Sequence, residues 1–158
     1  MAKAKTKSPA PRKARSDTTK LPQEDPHQKA ALRSEAFARA IADAKSHAHD
    51  HDRLRVLFTH AAAKVATIPK EPFKQNWPYL HTMLRLIRAY SREAYPIAVD
   101  ESLLWIIAAL NYLVDPFDLI PDEVPFLGFV DDATVVDFAV SRARHTLDDF
   151  MVWETTTL

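Results

Sequence analysis

The chain has 158 residues, no cysteine, one glycine and eleven prolines, and its formal net charge is zero. The length favours a single domain, and the lack of cysteine excludes disulfides and thiolate metal sites. One glycine is too few for the many tight turns of an all-β domain, while 47% hydrophobic residues are enough for a buried core. We therefore predict an all-α fold: a small bundle of about four to five helices, with a C-terminal helical hairpin joined by a Pro/Asp-rich loop.

The charge is unevenly distributed along the chain. Residues 1–20 contain seven Lys or Arg and one acid, so this end carries a formal charge of +6 and the remainder −6. Residues 1–24 are too polar to form a core and are predicted to be a disordered tail, followed by a helical domain over 25–155. A basic tail binds nucleic acid or anionic lipid without sequence specificity. The tail cations are Lys3, Lys5, Lys7, Arg12, Lys13 and Arg15.

No secretory-type apolar segment is recognised near the start, which predicts a cytoplasmic protein, with a membrane-peripheral position as the alternative. Asp25 and Pro26 are typical of a helix start. Apolar residues then recur at helical spacing on one stripe. One helix through residue 66 would be ~60 Å long, so we predict two helices that bend near 47–52, with Asp50 or Asp52 capping the second. The stripe consists of Phe37, Ile41, Ala44, Ala48, Leu54, Phe58, Ala61 and Val65.

Three histidines alternate in this bend. Asp43, His47 and His51 are four residues apart, and two His at that spacing can bind Zn²⁺ or Ni²⁺. No third ligand has a known position, so a solvated helix junction is favoured. We predict no metal site and no cofactor, and keep His47 and His51 as weak candidates.

Pro69, Pro72 and Pro78 indicate a connection, after which Asn76 is predicted to cap a third helix. Pro96 ends this helix or falls just past its end. Its inward face is Leu80, Met83, Leu84, Ile87 and Tyr90. Another face carries His81, Arg85, Arg88 and Arg92. A solvated face is favoured for this basic stripe, and the alternatives are phosphate binding and pairing with acids of the same chain.

The longest apolar stretch, 103–114, has Asn111 as its one polar residue. A membrane-spanning helix needs about twenty residues, so a buried core helix capped by Asp100 is favoured over a shallow membrane segment. If Asn111 is buried it needs partners, and we expect the backbone of the following loop, 115–130, to supply them.

After that loop, Asp131 is predicted to cap the last helix, with Val130 and Val135 as a hydrophobic staple. The apolar stripe of this helix is Val136, Ala139, Val140, Ala143, Leu147, Phe150 and Met151.

Residues 112–132 read Tyr-Leu-Val-Asp-Pro-Phe-Asp-Leu-Ile-Pro-Asp-Glu-Val-Pro-Phe-Leu-Gly-Phe-Val-Asp-Asp. This segment resembles the YkvA-like bacterial family, known as domain of unknown function 1232, over about 103–140. The resemblance implies a helical hairpin core and a bacterial setting, with some members membrane-associated, and it implies no activity. The motif residues are Tyr112, Leu113, Pro116, Asp118, Leu119, Ile120, Pro121, Asp122, Gly128, Asp131 and Asp132.

The acidic loop allows two interpretations. Clustered carboxylates can bind Mg²⁺ or Ca²⁺, but short Asp side chains also bond backbone N–H groups in turns and at helix starts. The spacing does not fit a calcium loop, so a structural role is favoured. Asp118→Ala and Asp131→Ala should then each cost about 1–2 kcal/mol as lost caps. Gly128 is expected at a positive φ or at a close helix approach.

The sequence has no Gly-rich phosphate loop, nucleophile elbow or zincin pattern. We therefore predict a non-enzymatic helical interaction module with an unidentified protein or membrane partner. One alternative is a nucleic-acid-associated accessory protein acting through the tail. A second alternative is a metal-dependent enzyme using the acidic loop.

Overall fold

The computed structural model describes residues 34–115 and 127–157, and side chains of the second range from residue 131. These ranges contain five α-helices, one 3-10 helix and no strand, which confirms the all-α prediction. The helices are α1 Glu35–His47, α2 His51–Val65, the 3-10 helix η1 Glu71–Asn76, α3 Trp77–Ser91, α4 Glu101–Val114 and α5 Leu127–Thr157. The predicted disordered tail, the helix start at Asp25 and the motif residues 116–122 lie outside the described residues.

Side-chain caps fix where three of the helices begin. Ser34 accepts a hydrogen bond from Phe37 N at 3.1 Å, Asp50 from Arg53 N at 3.2 Å and Asp100 from Leu103 N at 3.0 Å. Each bond satisfies one of the amides that a helix start leaves without a partner. The caps at Asp50 and Asp100 are confirmed, as is the bend between α1 and α2 within residues 47–52.

Two other cap predictions are wrong. The side chain of Asn76 makes no capping bond and instead donates to Asp137 on α5. Asp131 is the fifth residue of α5, because the helix already begins at Leu127, and an N-cap requires a non-helical backbone. Val130 and Val135 therefore both lie inside the helix, so the predicted staple positions, one before the cap and one after it, do not apply.

Gly128 lies in the first turn of α5, which excludes the first of its two predicted roles, a positive φ; the second, a close helix approach, stays a prediction.

The apolar helix α4 is the centre of the bundle and packs against α1, α2, α3 and α5. Its buried residues are Leu103, Ile106, Ile107, Ala108, Ala109, Leu110, Tyr112 and Leu113. The predicted core helix is thus confirmed. Asn111 donates from Nδ2 to the carbonyl oxygen of Ala40 on α1 at 3.1 Å, so its described partner is a helix backbone and not the loop that we expected.

The helix α3 ends at Ser91, five residues before Pro96, because a Schellman turn closes it. Glu93 adopts a φ of 60°. Its amide donates to the carbonyl of Tyr90 at 3.0 Å, and the Ala94 amide donates to that of Ala89 at 2.9 Å. These two bonds define the motif, in which glycine is the usual residue at the left-handed position.

The predicted apolar faces of α1, α2, α3 and α5 meet around α4. Ile41, Phe58 and Met151 are partly buried, and the other predicted positions are buried. This packing places the C-terminal ends of α3 and α5 side by side on the outside of the bundle.

Candidate functional site

A groove of about 240 Å³ lies between the C-terminal halves of α3 and α5. We call it the arginine groove, because three members of the predicted basic stripe line it. The fourth member, His81, does not line it; its ring packs edge-on against Trp77, with centroids 5.0 Å apart. The lining residues are Arg85, Arg88, Ala89, Arg92, Ala94, Phe150, Trp153 and Glu154.

Local sequence explains how α3 forms its side of the groove. Arg85, Arg88 and Arg92 are three and four residues apart, so they share one face of the helix. The Schellman turn then folds the chain back and places Ala94 over Ala89 through the 2.9 Å backbone bond. The result is a row of guanidinium groups beside a small apolar wall.

The floor of the groove is aromatic. Phe150 is 1% exposed and stacks on the half-buried Trp153, with centroids 5.5 Å apart. Tyr95 packs against both rings, with centroids 5.0 Å from Phe150 and 4.8 Å from Trp153. Burial, and then the charge of Asp149, raise the pKa of the Tyr95 phenol above its ordinary value. Tyr95 therefore stays neutral at physiological pH.

The charge of the groove is positive. Arg85 donates from Nε and Nη2 to the two carboxylate oxygens of Glu154, at 2.8 and 3.1 Å. Arg88 and Arg92 are exposed, and neither has an ion-pair partner among the residues that the structure describes. Three cations and one anion leave two positive charges. The alternative of pairing within the chain therefore applies to Arg85, and its partner is on α5 and not in the acidic loop.

This arrangement suits an anion that has an apolar part. A guanidinium binds phosphate or carboxylate with two parallel hydrogen bonds, as Arg85 already does with Glu154. The aromatic floor offers an apolar surface next to those donors. The groove thus combines two features of ligand sites: a mostly apolar lining and a few charged groups that converge on it.

Of the aspartates in and beside the acidic loop that the structure describes, Asp115 and the motif residue Asp132 contact basic side chains of other helices. Asp131 and Asp132 are 0% and 1% exposed. Asp132 Oδ2 lies 3.5 Å from Lys64 Nζ at the end of α2. Asp115 receives bonds of 2.9 and 3.3 Å from Arg39 on α1. These carboxylates therefore join α1 and α2 to the two helices that flank the acidic loop, while Pro116, Asp118, Leu119, Ile120, Pro121 and Asp122 lie outside the described residues.

The two candidate histidines lie in separate clefts. His47 lines a cleft of about 380 Å³ between α1, α2 and α4. The ring of His51 packs on Tyr90 at 4.8 Å, and its Nδ1 lies 3.5 Å from Glu93. His47 ends α1 and His51 begins α2, so the two residues do not share one face of a continuous helix, as a metal pair at this spacing requires. Within 34–115 and 131–157, no group of three or more His, Asp or Glu side chains is placed to hold a metal ion.

Sequence reasoning found the arginines of the groove and missed its other side. Phe150 was assigned to the core stripe, and Trp153 and Glu154 were not considered. A signal was present, because Phe150 and Trp153 are three residues apart and share a helix face. Nothing local, however, indicates that the end of α5 lies beside the end of α3.

The family model described as "Protein of unknown function (DUF1232)" matches residues 102–138. The chain is 28% identical over 99 residues to "Uncharacterized membrane protein YkvA" of Bacillus subtilis (strain 168), covering 63% of this chain and 93% of that protein. The resemblance found in the motif is thus confirmed. No solved structure matches the chain significantly. Among the helices of the described ranges, none is both long and apolar enough to cross a membrane.

Proposed function

The chain is YkvA-like and carries a DUF1232 segment, and on this premise we propose that it is a non-enzymatic helical interaction module that works at a membrane surface. The observation that carries the proposal is the arginine groove, where exposed Arg88 and Arg92 lie beside Trp153. The word "membrane" in the name of the Bacillus relative supports the same setting.

The apolar helix α4 is used for the core of the bundle. Leu103, Ile106 and Leu110 on α4 are 0% exposed, so this helix is enclosed by protein. Contact with lipid then falls to the outer surface. Trp and Tyr favour the boundary between water and hydrocarbon, because one part of each ring system is apolar and another part forms hydrogen bonds. Arginine adds attraction to anionic headgroups, at about 1 kcal/mol for each cation near the surface.

Flotation of the full-length chain with vesicles tests the proposal. We expect it to float with vesicles that contain phosphatidylglycerol, and not with vesicles of phosphatidylcholine alone. Added salt should weaken the binding, because it screens exposed charges. A chain that stays at the bottom of the gradient with both vesicle types, at low salt, contradicts a membrane role.

The contacts of Asp115 and Asp132 support a non-enzymatic role. Asp132 lies beside Lys64, and Asp115 beside Arg39, so these two carboxylates at the ends of the loop join helices. Calorimetric titration of the full chain with Mg²⁺, Mn²⁺, Zn²⁺ and Ca²⁺ tests the metal-dependent enzyme. Stoichiometric binding of any of these ions would count against the proposal and in favour of chemistry in the acidic loop.

The second candidate function is nucleic-acid association through the tail, favoured by the formal charge of +6 over residues 1–20. It predicts a gel shift that weakens steeply with salt. Replacing the six tail cations Lys3, Lys5, Lys7, Arg12, Lys13 and Arg15 by Gln should abolish that shift. A shift that persists in this variant contradicts the tail as the binding element.

A further inference from the structure

We infer that the arginine groove binds the phosphate of one anionic phospholipid headgroup between Arg88 and Arg92, with Trp153 against the glycerol and upper acyl carbons. This inference rests on the proposed membrane role and assigns it to one site. It separates a defined headgroup site from general attraction between the basic tail and an anionic surface.

The first support is the contrast among the three arginines. Glu154 already engages Arg85 with both carboxylate oxygens, at 2.8 and 3.1 Å. A phosphate presents the same pair of acceptors to a guanidinium. Arg88 and Arg92 line the same groove, and no acid in the described ranges pairs with them. The groove therefore contains one occupied guanidinium and two that remain available to an external anion.

The second support is the apolar half of the groove. The groove is lined by Ala89, Ala94, Phe150 and Trp153 as well as by the guanidinium groups. Inorganic phosphate would leave this lining in water. A phospholipid covers it, because its glycerol and acyl carbons are attached directly to the phosphate. The chemistry of the groove therefore favours an amphiphilic anion over a free one.

The third support is size. The groove holds about 240 Å³, which is below the ~300–1,000 Å³ of sites that enclose whole small-molecule ligands. A headgroup phosphate with its glycerol carbons needs only a partial enclosure, since the acyl chains remain in the bilayer. The groove lies open on the outer surface of the bundle, at exposed Arg88 and Arg92, where a bilayer can reach it.

The test uses full-length chains in which the six tail cations are replaced by Gln, so that tail binding does not hide the groove. Partition onto phosphatidylglycerol vesicles is compared for the Arg88→Gln/Arg92→Gln and Arg53→Gln/Arg55→Gln variants. The second pair removes the same charge from exposed positions on α2, outside the groove. We expect the groove variant to lose roughly thirtyfold in partition, and the α2 variant to lose less than threefold.

For Glu154→Gln we expect the opposite effect on partition onto the vesicles. The substitution removes the carboxylate that competes for Arg85, so partition should rise severalfold. Quenching of tryptophan fluorescence by lipids brominated near the headgroup adds a readout of position. We expect these lipids to quench the fluorescence of the parent chain, and this quenching should be largely lost in Trp153→Phe. Circular dichroism should show the same helicity for the variants of α2, α3 and α5 in this background, since each side chain substituted on these helices is at least partly exposed.

The outcomes separate the inference from the proposed function. Equal losses in the groove and α2 variants, with vesicle binding of the unmodified chain intact, overturn the headgroup site and leave the membrane role standing. Binding that disappears once the tail cations are replaced also overturns the site. Displacement of the chain from vesicles by inorganic phosphate at the same ionic strength as a chloride control identifies a free-phosphate site instead. If the unmodified chain binds none of the vesicles, the membrane role itself is overturned.

Discussion

Asn76 and Asp137 are 61 positions apart in the chain, and the Asn76 Nδ2 lies 2.7 Å from the Asp137 Oδ1. Asn76 is 5% exposed, whereas Asp137 is exposed. The bond joins the end of η1 to α5, which also pack against each other. A side chain that resembles a local helix cap is therefore a tertiary contact that helps to set the position of α5.

We expect Asp137→Ala to lower the free energy of unfolding by about 1–2 kcal/mol, because the buried amide of Asn76 loses its acceptor. Asp137→Asn is the matched control; it keeps an acceptor oxygen and should cost less than half as much. Urea unfolding of the three chains measures both values. Equal stability of Asp137→Ala and the unmodified chain would mean that Asn76 finds another acceptor.

Lys64 and Asp132 form a partly desolvated ion pair, with side chains 19% and 0% exposed and 3.5 Å between Nζ and Oδ2. Removing one partner of such a pair leaves an uncompensated buried charge. Lys64→Met should therefore destabilise the fold by about 2 kcal/mol, and much of that loss should return in Lys64→Met/Asp132→Asn. A thermal unfolding cycle of the four chains gives the coupling. Additive effects would show that the lysine does not compensate the carboxylate.

Tyr90 donates its hydroxyl to the carbonyl of Ala48 at 2.9 Å and fastens α3 to the bend between α1 and α2. Tyr90→Phe should cost about 1 kcal/mol near neutral pH. Burial raises the pKa of the Tyr90 phenol above its ordinary value, so the unfolded chain loses this proton first as the pH rises. The stabilisation is complete below the unfolded pKa of about 10 and is lost above it.

The stability gap between the unmodified chain and Tyr90→Phe should thus be constant from pH 7 to 8 and narrow above pH 10. Guanidinium unfolding at these pH values checks the direction. A gap that widens with alkalinity would contradict the assignment.

Glu93 holds the left-handed position of the Schellman turn with a φ of 60°. A side chain other than glycine costs about 1 kcal/mol in this conformation. Glu93→Gly should therefore stabilise the chain by roughly 0.5–1 kcal/mol. The His51 contact that it removes is 3.5 Å long and leaves Glu93 73% exposed, so its loss should matter little. Glu93→Ala removes the same contact without relieving the backbone, and should remain near the parent melting temperature.

Local sequence was sufficient to predict features that depend only on residues close together in the chain. Asp100 was identified as a cap, and Asp50 as one of two candidates with Asp52, because a cap needs only an amide three residues ahead. The buried face of α3 follows from helical spacing alone. The enclosure of α4 follows from a helix that is apolar on all sides.

Local sequence failed where a distant element supplies the partner. Asp131 looked like a cap because it precedes an apolar stripe, but it is buried inside a helix that begins four residues earlier. Asn111 was assigned to the adjacent loop and bonds Ala40 on α1. The Schellman turn at Glu93 was not predicted, because it lacks the glycine that usually indicates such a turn. The aromatic side of the arginine groove depends on α3 meeting α5, about sixty residues away, and no local pattern encodes that approach.

The packing of α1 on α4 limits how short a fragment of this protein can be and still fold. Phe37 of α1 contacts Trp105 and Tyr112, at centroid distances of 6.4 and 6.2 Å, and α1 packs along α4. A peptide limited to the family segment 102–138 would expose that apolar surface to water, and we expect such a fragment to self-associate. The cooperative unit is therefore larger than the recognisable one, and α1 belongs to it although the family segment begins more than fifty residues after this helix ends.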